Sequence, residues 1–278
     1  MQPMAQQDIR GPLPEGLAGA IRQTAGDIAT LLNSAPGTTM PVPDSEWTVG
    51  EAAAHLALAN ELMAGLAAGR RRSYGDGTPQ SLAAANAETL ATFGQRDAQP
   101  LASMITEQAG LFLDAVDLAA RDDSVGDTVP VTPLGPMDRP VLASYLLTHM
   151  LGHGYDLARA LKRPHMIDRA RVGLCMPFML AVMPRVVDPD AVADLTARYA
   201  VRLRGGAAFG VSVRDGAVHV SPTPPERSDC TILIEPVAFL LMALGRRHPW
   251  RAIGQGQVLA WGRRPWLAPR FPTLFNAP

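Results

Sequence analysis

Leu147-Thr148-His149-Met150-Leu151-Gly152-His153-Gly154-Tyr155-Asp156-Leu157 sets two histidines four residues apart inside an apolar run. The surrounding pattern predicts a helix over about 141–161. On a helix, positions i and i+4 share a face with Cβ atoms roughly 5–6 Å apart. Two imidazoles so placed can aim nitrogens at one ion without bending the backbone. Asp156, three residues beyond His153, is placed to accept a hydrogen bond from a ligand ring or to build the pocket floor. A third histidine, His55, stands in Glu51-Ala52-Ala53-Ala54-His55-Leu56, where a polar ring needs a reason to be buried. Spacing alone is equally compatible with a metal site and with core histidines satisfied by hydrogen bonds.

Working outward, the first two thirds of the chain read as helical. Leu17, Ile21, Ile28, Leu31 and Leu32 recur at helical spacing over about 14–34. Thr48 stands three residues before Glu51, a capping-box signature that opens a second helix reaching about 69. Arg70, Arg71 and Arg72 near its end suit the negative pole of the helix dipole. Trp47, just before the cap, reads as a hydrophobic staple. Pro79 can start a third helix reaching about Phe93, and a fourth runs over about 100–121. The stretch 122–140 is loop-like. Long helices joined by loops are the recipe for a bundle, which places metal sites between facing helices.

After a helical linker over 166–196 the pattern changes. Tyr199–Leu203, Gly210–Val213, Ala217–Ser221 and Thr231–Ile234 are short β-branched runs separated by turn residues. Helices are expected again over about 236–245 and 265–275. The fold class is therefore α+β: a helical bundle over 10–165, then a small α+β domain over 197–278.

Composition narrows the function classes. With 25 basic and 26 acidic residues among 278, a net charge of −1 gives no footprint of a nucleic-acid binder. No run of 18 apolar residues spans a membrane. The polar N-terminus shows no signal peptide. Cys175 and Cys230, far apart and outside any CxxC pair, read as buried thiols of a cytoplasmic protein. The expected state is a monomer or homodimer without nucleic-acid or membrane partners. Lys162 is the only lysine, the mark of a GC-rich coding bias.

Trp47-Thr48-Val49-Gly50-Glu51-Ala52-Ala53-Ala54-His55-Leu56-Ala57 resembles the first metal-ligand motif of DinB-like four-helix bundles, in particular of the mycothiol-dependent maleylpyruvate isomerase family. The stretch 147–157 resembles the second motif: a ligand, three residues, a histidine, two residues and an aspartate. The resemblance covers about 10–165. It implies a divalent metal, zinc above all, held by His55, His149 and His153, with Asp156 in the pocket and mycothiol as cosubstrate. One departure matters: the isomerases resemble Glu-x-x-x-His at the second motif, whereas here the first position is His149. A three-histidine set is more similar to thiol S-transferases of the wider superfamily. A third neutral ligand leaves the ion one charge more positive, which favours acidifying a thiol. Imidazoles suit zinc and admit iron, nickel or cobalt.

Asp229-Cys230-Thr231-Ile232-Leu233-Ile234, Val237 to Leu241 and Gly256 to Leu267 are similar to the tail of sterol-carrier-like domains. Behind such bundles that domain resembles a lid or wall over the metal pocket. The leading expectation is a thiol S-transferase that adds mycothiol, a low-molecular-weight thiol, to an electrophilic small molecule. The alternatives are a mycothiol-dependent cis–trans isomerase of the maleylpyruvate type and a non-enzymatic lipid or small-molecule binder. Six arginines and no acid occupy 236–278. Arg246 and Arg263 among them are candidate cosubstrate-binding residues, and Arg202 and Arg204, which share a strand face, are candidate catalytic residues. A solvated basic surface is the competing reading of all four.

Overall fold

Thr48 starts the helix that organises the N-terminal region. The Glu51 N–H donates to Thr48 Oγ1 at 3.3 Å, and the Thr48 N–H donates to Glu51 Oε2 at 2.8 Å, closing the capping box expected from the sequence. The computed structural model describes residues 12–70, 74–76, 81–121 and 129–276. The chain divides into two compact units, Met1–Ile167 and Asp168–Pro278.

The first unit contains α1 (Leu17–Asn33), α2 (Val49–Ala67), α3 (Leu82–Thr92), α4 (Ala98–Ala119) and α5 (Arg139–Ala160), with a two-stranded hairpin, β1 (Val131–Thr132) and β2 (Gly135–Pro136), before α5. Both α1 and α2 pack against α4 and α5, which makes the four-helix bundle, while α3 lies on α2. The apolar residues of α2 run nearly all round, and 15 of its 19 residues are buried. A helix of that kind belongs in a core. Leu56, Leu62 and Leu66 are among them, and burial of such a side chain contributes ~1.5–3 kcal/mol.

The start of α5 is fixed to the end of α2. Asp138 caps α5 by accepting from the Val141 N–H at 2.8 Å. Arg139, buried, donates from Nε to the Ala67 carbonyl at the C-terminus of α2 at 3.2 Å. That terminus is the negative pole of the helix, where a cation is favoured. One turn beyond His149, α5 lies close against α1: a Cβ on Gly154 would stand 3.1 Å from Ile28 Cγ1.

The second unit begins with a helix, α6 (Arg169–Val182), and takes in residues 168–196 of the stretch expected as a linker. A short α7 (Pro189–Val192) leads into β3 (Ala197–Leu203), β4 (Ala208–Arg214), β5 (Ala217–Ser221) and β6 (Cys230–Ile234). Then follow α8 (Pro236–Ala243), α9 (Pro249–Gly254) and β7 (Val258–Trp261). The sheet order is β5-β4-β3-β6-β7, with β3 and β6 parallel and the other neighbours antiparallel. Tyr199, Val201, Phe209, Val211 and Ile232 form the buried face. The unit is α+β, in agreement with the sequence pattern.

Three local differences have simple causes. The helix expected over 265–275 is two 3-10 turns, Pro265–Arg270 and Pro272–Leu274, because Pro269 and Pro272 remove the amide donors an α-helix needs. The third helix begins at Leu82; Pro79, like Arg71 and Arg72, lies outside the described residues. Inside the expected loop, Thr132 Oγ1 donates to the Gly135 carbonyl at 2.8 Å and closes the β1–β2 hairpin. Among the described residues no helix is long and apolar enough to cross a membrane.

Candidate metal centre

His55 sits two turns into α2, and its ring is buried because the helix is. His149 and His153 sit on the face of α5 that meets α2. His55 Nε2 and His149 Nε2 are 3.2 Å apart. Each of the three rings offers one nitrogen, and these atoms all lie within 4.8 Å of one another. The ring centroids are 5.2, 4.8 and 4.6 Å apart for the pairs 55–149, 55–153 and 149–153.

The spacing fits a cation. Two lone pairs pointed together at 3.2 Å repel unless a proton or an ion lies between them. Two nitrogens bound to one tetrahedral ion at ~2.1 Å stand ~3.4 Å apart, close to the distance found. The donor set of three neutral imidazoles suits zinc and neighbouring transition ions. On the outer side of the cluster Asp156 Oδ2 lies 3.5 Å from His153 Nδ1. A carboxylate there favours the tautomer with the proton on Nδ1, which would leave Nε2 to face an ion.

Two aromatic residues complete the surroundings. The Trp47 ring lies 4.8 Å from the His55 ring and 6.1 Å from that of His153. Its indole therefore covers the histidine cluster, a position that its reading as a staple for α2 did not include. Tyr145, one turn before His149, meets that ring edge-on at 6.2 Å. Burial, and to a lesser degree Tyr74, push its phenol well above the usual tyrosine range, so it stays a neutral hydrogen-bonding group. The signal for Tyr145 was in the sequence, since it lies at i−4 from His149.

The four candidate arginines lie in the second unit. Arg202 and Arg204 are exposed, Arg202 within β3 and Arg204 just past its end. Arg246 donates from Nη1 to the Leu244 carbonyl at 2.5 Å. Arg263 forms an ion pair with the nearly buried Asp229 at 2.5 Å. Asp229 also accepts from the Arg198 N–H at 2.9 Å. Burial raises the Asp229 carboxyl, but these two donors outweigh it and hold the group below the usual aspartate value. Arg263 thus has a structural partner that the sequence did not disclose. Cys175 and Cys230 are buried and form no disulfide, and burial beside Asp229 raises the Cys230 thiol to about 11.

Comparison with known proteins agrees with this architecture. Residues 182–262 match the SCP-2 sterol transfer family. The crystal structure of a histidine-to-alanine mutant of the mycothiol-dependent maleylpyruvate isomerase is similar, with a TM-score of 0.51 at 12% identity, covering 89% of this chain and 93% of that one. A second crystal structure of the mycothiol-dependent maleylpyruvate isomerase gives a TM-score of 0.43 at 13% identity with the same coverage. The first of these likenesses shows a shared fold. No curated protein matches the sequence. Residues 18–158, which hold all three histidines, match the mycothiol maleylpyruvate isomerase N-terminal domain, and the chain belongs to that family.

Proposed function

We propose that the protein is a metal-dependent enzyme that uses mycothiol as a nucleophile toward an electrophilic small molecule, with cis–trans isomerisation of a maleylpyruvate-type double bond as the outcome. The observation that carries this reading is the convergence of His55, His149 and His153 to within 4.8 Å, inside the domain that matches the family. A divalent ion, zinc foremost, would supply the positive charge that keeps a thiol ionised at neutral pH, where a thiol of pKa ~8.5 is otherwise mostly protonated. His55 and His149 hold donors at ligand spacing, and Asp156 orients His153. Trp47 shields the cluster from water on its side. Tyr145 presents a phenol that keeps its proton and can donate to an anionic oxygen.

The reaction that suits these groups begins when the thiolate sulfur adds to one carbon of the double bond. The electron pair moves to the conjugated carbonyl, the new single bond rotates, and elimination of the thiolate restores the double bond in the other geometry. No thiol is consumed. S-transfer, the leading expectation from the sequence, is the second reading. His149 in place of glutamate favours it, while membership of the isomerase family favours isomerisation. Arg202 and Arg204 are proposed to bind anionic groups of substrate or thiol, and Arg246 and Arg263 to assist through their remaining donors. A reducing cytoplasm is the proposed setting, consistent with two cysteines outside any disulfide.

The test is incubation of zinc-loaded protein with mycothiol and maleylpyruvate, and with other conjugated electrophiles, following both the thiol and the double bond. Isomerisation without net loss of thiol supports the main reading, and accumulation of a stable thioether supports S-transfer. Unchanged turnover in His153→Ala, or no reaction with any electrophile, contradicts both.

A further inference from the structure

The indole that covers the histidines belongs to a closed turn. The Val42 N–H donates to the Trp47 carbonyl at 2.8 Å, and the Trp47 N–H donates to Ser45 Oγ at 3.1 Å. Pro41 and Thr48 form an antiparallel bridge at its base. Val42 is buried and anchors the turn. Asp44, at its tip, has a φ of 63°, a left-handed conformation that aspartate tolerates better than most residues with a Cβ. The tip reaches α5, where Arg159 Nη1 donates to Asp44 Oδ2 at 3.0 Å from the last turn of the helix. Arg159 has a support of its own: its guanidinium carbon lies 5.8 Å from the centre of the Tyr155 ring, one turn earlier.

The turn therefore meets α5 at two places. Trp47 rests on the rings of His55 from α2 and His153 from α5, and Asp44 rests on Arg159 further along α5. The two contacts differ in kind. The indole is packed on aromatic rings, whereas the ion pair joins groups that are 82% and 35% exposed. An exposed pair contributes little to stability, so it can part while the bundle stays folded. Tyr145 stands at the other end of the histidine pair, one turn before His149.

We propose that residues 41–48 are a strap, latched by Asp44 and Arg159, that closes the His153 end of the cluster with Trp47 and directs a thiol to approach from the side of Tyr145. Asp44 and Arg159 are then positioning residues that act through Trp47. What the strap guards rests on the reading of the cluster as a metal centre; the latch itself does not.

Two measurements test it. The first uses the full chain with the exposed Trp250, Trp261 and Trp266 replaced by phenylalanine, which leaves Trp47 as the one indole of the four. Acrylamide quenching of its emission is followed in metal-free protein. Asp44→Asn and Arg159→Gln should each raise the quenching constant ~2–5-fold, the range set by loss of an exposed ion pair. The double variant should go no further than either single one, because both remove the same contact. Arg159→Lys, which keeps the charge, should stay nearer the parent than Arg159→Gln. The second measurement follows removal of zinc by a chelator from the chain with all four tryptophans, and the same variants should speed it ~2–5-fold. Circular dichroism checks each fold. Unchanged quenching in both single variants, or additive effects in the double one, overturns the latch. Raised quenching with an unchanged rate of zinc removal overturns the strap as a closure of the site. A chain that takes up no zinc defeats the metal reading instead, and the quenching series still decides the latch.

Discussion

His153 illustrates how a single side chain can be prepared as a candidate ligand. Its Nδ1 faces Asp156 at 3.5 Å, which commits Nε2 to the cluster. Removing such an outer partner usually weakens metal affinity ~10–100-fold. Asp156→Asn should therefore raise the zinc dissociation constant by that factor in chelator competition, with the fold intact; an unchanged constant would remove Asp156 from the site. A second residue-level expectation concerns Asp229, whose carboxyl is held low by Arg263 and the Arg198 N–H against the effect of burial. A group with a lowered folded pKa contributes stability that is present above its unfolded value, ~3.9, and lost as pH falls through the folded value. Acid titration of the wild type should thus weaken the second unit only below about pH 4. Arg263→Ala should lose part of that stability at neutral pH already. Because Arg263 is 76% exposed, solvent screening limits the loss to ~1 kcal/mol. Chemical denaturation at pH 7 and pH 3.5 measures both effects.

Elements carry these residues into place. The capping box fixes where α2 begins, and so where His55 comes to lie two turns later. Thr48→Ala removes the acceptor for the Glu51 N–H and should cost ~1 kcal/mol by thermal denaturation. It should also loosen zinc binding if the start of α2 sets the ligand position; a stability loss with unchanged zinc affinity would confine the cap to folding. The box was legible because its residues are local, and so was the HxxxH pair. Strands β3 to β6 were legible as β-branched runs. What stayed hidden depends on tertiary contact or on short elements. Nothing local relates Arg139 to the Ala67 carbonyl, 72 positions earlier, or Arg263 to Asp229, 34 positions earlier. Trp47 looked like a staple because its contacts are with rings on α2 and α5. The four residues of β7, set between Gly256 and Gly262, were too few to show alternation.

At the scale of the whole molecule the three candidate metal ligands all lie in one of the two units. Ions that bind only the folded state stabilise it by RT ln(1 + [L]/Kd), ~2.7 kcal/mol at a hundredfold excess over Kd. Added zinc should therefore raise the calorimetric unfolding temperature of the chain. No shift, or the same shift in His55→Ala, would contradict a cation site on α2 and α5. The proposed chemistry requires that an ion held by the three imidazoles render a thiol nucleophilic. Its most direct test is absorption spectroscopy of the cobalt-substituted protein titrated with mycothiol at neutral pH. The expected result is a sulfur-to-cobalt charge-transfer band that saturates at one thiol per chain and is lost in His55→Ala, His149→Ala and His153→Ala. Cobalt that binds without such a band, or a band that survives loss of the histidines, would contradict it.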